Sequence, residues 1–144
     1  MKLPFEDQAY SWMERYGLTV LRYSLAIIFI WFGALKPFGL SPASDLVAHT
    51  VPFDPVWFIP LLGVWEVIIG VCFLFPRRLL RPGLVLMALQ MAGTFLPLIL
   101  LPDRVYVIFP FALTLEGQYI VKNFVLIGAA LTIGGLQVRR THPP

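Results

Sequence analysis

Cysteine is all but missing from this chain. Cys72 is the only one in 144 residues, which excludes an internal disulfide and thiol–disulfide exchange by a resident cysteine pair. Histidine is nearly as scarce. His49 and His142 fall on opposite sides of the membrane in the topology derived below, so they cannot jointly hold a haem or a metal. His49 beside Asp45 is a sparse candidate for a metal or proton site, and no metal centre is expected. No haem-attachment signature, phosphate-cradling glycine loop or hydrolase serine motif occurs. Charge is thin as well, at 13% of residues with a net +3. The basic residues flank apolar blocks and build no continuous face, so they read as topology signals and exclude a nucleic-acid surface.

Apolar residues fill the space these absences leave, at 58% of the chain, and they come in long blocks. Four blocks can cross a hydrocarbon core of about 30 Å. They run over about 18–38, 57–75, 82–101 and 118–138. Each is expected to be a helix, because an isolated strand cannot satisfy its backbone in lipid. The fold class is therefore all-α, a polytopic four-transmembrane-helix bundle in a single membrane domain over residues 1–144. No cleavable signal peptide is expected; the first block serves as the insertion signal. Residues 1–17 precede it as an amphipathic lead rich in aromatics (Phe5, Tyr10, Trp12, Tyr16), expected to lie on the membrane surface or to dock a partner.

Orientation follows from the basic residues. Lys2, Arg15, Arg22, Arg77, Arg78, Arg81, Arg139 and Arg140 gather at the N-terminus, the second loop and the C-terminus. Lys36, Arg104 and Lys122 fall toward the other side. Both termini are thus expected in the cytoplasm. Arg22, near that end, is expected to snorkel to headgroups. Ser41-Pro42 reads as an N-cap and first turn of a short interfacial helix through about Thr50. The apolar stretch Arg104 to Leu115 is expected in the headgroup layer or folded over the bundle, as an anchor, a lid or a docking surface.

The most informative residue is Glu66, in the middle of the second block. An ionisable group there costs about 2.5 to 3.5 kcal/mol unless paired or wetted. It lies about nine residues into the block, or about 13 Å deep. Helical spacing groups it with Gly63 and Gly70. It likewise groups Phe29, Gly33 and Lys36 on the first span, Gly83, Met87, Gln90, Thr94 and Pro97 on the third, and Lys122, Val125, Ala129 and Thr132 on the fourth. Lys36 and Lys122 both enter from the outer side, within reach of Glu66 by snorkelling. Gln90 and Thr94 face the same zone. The candidate ligand-binding or proton-exchange residues are therefore Lys36, Glu66, Gln90, Thr94 and Lys122. Two readings stay open. One is a structural ion pair with its remaining hydrogen bonds satisfied. The other is a pocket whose two lysines against one glutamate leave positive charge for an anion or a quinone-like ring. No polar stripe runs the length of the bundle, which argues against a channel in one copy.

The ordered set Trp31-Phe32-Gly33-Ala34-Leu35-Lys36, Gly63-Val64-Trp65-Glu66 and Glu116-Gly117-Gln118-Tyr119-Ile120-Val121-Lys122-Asn123 resembles the DoxX-like superfamily of small four-helix membrane proteins, nearest its YkgB-type branch. The chain departs from that pattern at Pro37, at Gln118-Tyr119 and at Asn123. The resemblance implies that Lys36, Glu66 and Lys122 are the family's polar positions. It implies an inner-membrane protein tied to quinone-linked redox or oxidative-stress metabolism, or an accessory or assembly subunit of a larger membrane complex. No cofactor ligands are evident within the chain; a bound quinone is the one cofactor the resemblance suggests. The residues do not decide whether the protein is an enzyme.

Overall fold

A single helix, α1, runs unbroken from Pro4 to Leu35. The computed structural model describes residues 4–141; Lys2 and His142 lie outside them. At about 1.5 Å per residue a helix of this length exceeds a hydrocarbon core of about 30 Å by several turns. The lead therefore extends the first span along its axis and does not fold back as a separate surface helix. No proline interrupts the junction. The other end is closed tightly. Leu40 N–H donates to Leu35 C=O (3.0 Å) and Gly39 N–H to Lys36 C=O (3.1 Å), with Gly39 left-handed at φ +69°. This is a Schellman end, and it favours glycine at that position.

The connection after α1 then forms α2 over Ser44–Thr50. It starts later than Ser41-Pro42 suggested. Ser41 instead closes a turn through its carbonyl to Ser44 N–H, and Ala43 occupies the cap without a side-chain bond. Helix α3, Pro55–Leu74, is capped by Asp54, whose carboxylate accepts from Val56 N–H at 3.0 Å, with Pro55 in its first turn. Only Phe75 separates it from α4, Pro76–Thr94. After a break at Phe95-Leu96, α5 (Pro97–Leu100) completes the third apolar crossing.

The connection after α5 holds α6 (Pro102–Val105) and a two-stranded antiparallel hairpin, β1 (Tyr106–Ile108) with β2 (Ala112–Leu113). The sequence reading missed this hairpin. A hairpin pairs part of the backbone of an apolar loop where water is scarce. Then come α7, Leu115–Val121, capped by Thr114, and α8, Asn123–Thr141.

Among the described residues four helices are long and apolar enough to cross a membrane, and they close a ring in which α1 meets α3, α3 meets α4, α4 meets α8 and α8 meets α1. Leu25, Ala26, Phe29, Ile69, Phe73, Met87 and Ile133 form the dry centre. The stripes expected on the first three spans face inward: Phe29, Gly33, Gly63, Gly70, Gly83 and Met87 are all buried. The fourth was misphased in part. Ala129 is buried as expected, but Val125 and Thr132 are exposed, and Ala130 and Ile133 are buried in their place. The helix is interrupted at Lys122, where the Asn123 side chain donates to the Tyr119 and Ile120 carbonyls (3.1 and 3.0 Å). A phase carried from Lys122 across that interruption points the wrong way.

A buried lysine–glutamate–glutamine centre

Two glycines create the site. Gly33 on α1 and Gly63 on α3 lie at the crossing of their helices, and a Cβ on either would collide with the other's carbonyl oxygen. Small residues permit this approach of two membrane helices. Lys36, three residues past Gly33, and Glu66, three past Gly63, are thereby brought together. Lys36 Nζ forms an ion pair with Glu66 Oε2. From the third side Gln90 on α4 donates from Nε2 to Glu66 Oε1 at 2.8 Å. Each carboxylate oxygen thus has its own donor. Lys36 is 5% exposed and Glu66 9%, so the pair is withdrawn from lipid and solvent alike.

Thr94 and Lys122 stand apart from this centre. Thr94 Oγ1 donates to the Gln90 carbonyl (2.9 Å), one turn back on its own helix, and so braces the helix that carries Gln90. Lys122 is exposed, with Nζ 4.6 Å from the centroid of the Tyr119 ring. Glu66 consequently meets one ammonium group. The surplus positive charge expected from two lysines is not assembled, and with it goes the electrostatic basis for anion capture at this depth. What remains is a net-neutral ion pair in a low-dielectric setting. Trp65, the residue before Glu66 in the chain, has its Nε1 buried without an acceptor. A buried indole N–H usually finds a partner, and this one was not anticipated from sequence.

Arg22 was also misread. It does not snorkel to headgroups. It is 8% exposed, and its Nη1 donates to the carbonyls of Phe73 (2.9 Å) and Leu74 (3.1 Å) at the end of α3. The free carbonyls and negative dipole end of a helix attract such a cation. The signal was present: Arg22, Phe29, Gly33 and Lys36 share one stripe of α1.

Above the centre, Arg104 on α6 ties three outer segments together. Its Nη2 bonds Asp45 of α2 and lies 3.3 Å from Glu116 of α7. The Arg104 hydrogen bond, aided by its charge, holds the Asp45 carboxyl below the usual carboxylate range, and Asp45 in turn raises the Arg104 pKa. Thr114 Oγ1 adds a hydrogen bond to the Arg104 carbonyl (2.8 Å). His49 lies within the same turn of α2 as Asp45 (Nδ1 to Oδ1 3.5 Å). Among the described residues no third potential ligand joins them.

An apolar trough of about 460 Å³ runs between α4 and α8, lined by Leu84, Met87, Met91, Phe95, Ile127 and Ala130 among others. It lies on the face of α4 that meets α8, whereas Gln90 turns to α3.

These features define a class: an all-α, four-span membrane protein built around a buried, hydrogen-bonded ion pair. No protein-family model, curated protein or solved structure matches the chain.

Proposed function

We propose that the chain is a DoxX-like subunit of a bacterial inner membrane, with both termini cytoplasmic, that serves quinone-linked redox or oxidative-stress metabolism. The Lys36–Glu66–Gln90 centre carries this reading. An ion pair buried at this depth is an inefficient way to stabilise a bundle, and ionisable groups inside a membrane mark sites of exchange. In this reading the Gln90 amide and the Lys36 ammonium orient a ring oxygen, Glu66 exchanges its proton, and electrons arrive from a partner subunit. One further observation supports it: Trp65 offers an unused N–H next to Glu66 in the chain, suited to a carbonyl acceptor. No catalytic residue is assigned. The test is to purify the protein with its native lipids and assay bound quinone. Glu66→Gln is expected to lose that quinone, and unchanged binding removes the role given to Glu66.

A second reading, a non-enzymatic accessory or assembly subunit, is supported by the outer surface. Phe38, Leu40, Ile108, Phe109 and Phe111 are all exposed there, Phe111 to 89%. Clustered apolar exposure of this kind marks an interaction or membrane face. Gentle-detergent purification discriminates: a larger membrane complex recovered through these loops favours this reading. A single small species retaining quinone counts against it.

A further inference from the structure

At the end of the bundle opposite Glu66, the geometry points to a phosphate-binding site at the α3–α4 corner, suited to the headgroup of an anionic phospholipid. The starting observation is Arg22. It is more than nine-tenths buried, and no carboxylate among the described residues pairs with it. Its Nη1 is committed to the last carbonyls of α3. Its Nε is buried without an acceptor, and Nη2 makes no hydrogen bond among the described residues. Nε and Nη2 form the edge that a phosphate grips with two parallel hydrogen bonds. The Tyr23 ring, 44% exposed, lies 4.7 Å from the guanidinium. It covers one face of the group.

A second, independent feature occupies the same corner. The carbonyls that Arg22 grips belong to the two residues before Phe75, and Phe75 is the N-cap of the 19-residue α4. That cap makes no side-chain hydrogen bond. Pro76 has no N–H, so the amides of Arg77 and Arg78 begin the helix without intrahelical acceptors. An uncapped helix start attracts anions. Arg78 and Arg81 are exposed on this first stretch of α4. A buried guanidinium with an unpaired Nε, an uncapped helix start and two exposed arginines therefore belong to the same α3–α4 corner of the bundle. Basic pockets between spanning helices at that level suit anionic lipid headgroups.

The experiment uses the full chain in a neutral detergent and native mass spectrometry. Equal amounts of phosphatidylglycerol and phosphatidylcholine are offered, with inorganic phosphate as a separate arm. The expected result is one phosphatidylglycerol retained in preference to phosphatidylcholine, with affinity falling about tenfold or more in Arg22→Gln, the scale of a lost charged hydrogen bond. Arg78→Gln, a surface change, keeps the test decisive if Arg22→Gln fails to fold, and it is expected to weaken the same lipid several-fold. Inorganic phosphate binding as tightly as the lipid, with the same dependence on Arg22 or Arg78, keeps the phosphate site but assigns it to a soluble anion. Equal retention of the two lipids, or a preference indifferent to whichever of the two variants folds, overturns the proposal. Because the corner is remote from Glu66, neither outcome bears on the quinone reading.

Discussion

Gly33 and Gly63 pack backbone against backbone where α1 crosses α3. A Cβ on Gly33 would stand 2.7 Å from the Gly63 carbonyl oxygen, and one on Gly63 would stand 2.5 Å from that of Gly33 and 2.8 Å from Lys36 Cβ. The contact sets the distance between the helices and thereby decides whether the Lys36 ammonium reaches Glu66.

Gly63→Ala is therefore expected to push α1 and α3 apart. The atoms it meets are backbone and Cβ, which cannot turn aside. Overpacking of this kind costs about 1 to 3 kcal/mol. Gly128→Ala is the control, since nothing lies within 4 Å of a Cβ there, and it is expected to be neutral. Thermal unfolding of both variants in one detergent measures the difference. Equal midpoints would show that the crossing tolerates a wider gap.

The ion pair should behave as a unit. Lys36→Met alone or Glu66→Leu alone leaves a buried charge without its partner, a loss of about 3 to 5 kcal/mol. The double variant removes both charges and is expected to lose much less than the sum. Lys122→Met is the matched control. Its ammonium is exposed over Tyr119, and such contacts at the surface contribute about 0.5 to 1 kcal/mol. A double-mutant cycle of unfolding free energies reads the coupling, and additive losses would mean that the pair does not interact.

The parts of this site that were legible in the sequence are those fixed by depth. Glu66 had to be compensated, and a lysine closing the first span and a glutamine midway along the third lie at the right level. Azimuth was less legible. Lys122 sits at the helix interruption between α7 and α8, and its side chain turns out over Tyr119 rather than toward Glu66. Arg22 was judged by its nearness to the membrane edge, although its spacing to Phe29 and Lys36 already placed it on the inner stripe. Nothing local predicted the union of Asp45, Arg104 and Glu116, which come from three separate segments. Such a contact is a product of tertiary folding alone. The hairpin over 106–113 escaped notice because short apolar runs do not distinguish a strand from an interfacial loop.

Acid should loosen this outer layer. With its folded pKa depressed, Asp45 contributes stability that is fully present above its unfolded pKa of about 3.9. That contribution is lost as pH falls through the lower folded value. The window therefore lies below about pH 4. The effect is expected to be small, because Asp45 is exposed and salt screens such pairs. Proteolysis of the outer connections as a function of pH should show the change, and Asp45→Asn should remove its share of it. A pH profile identical in the variant would assign the loosening to other carboxylates.

Orientation is open to direct chemistry because Cys72 is the only thiol and is buried. In a Cys72→Ala background, Gln8→Cys reports on the arginine-rich end and Val107→Cys on the hairpin. Both positions are exposed. If the basic residues govern insertion, a membrane-impermeant maleimide applied to intact spheroplasts labels Val107→Cys and spares Gln8→Cys. Permeabilisation then exposes Gln8→Cys as well. The reverse pattern would put the Lys36–Glu66 centre in the cytoplasmic half. Protons exchanged there would then come from the cell interior, and the phosphate-binding corner would face the outer leaflet.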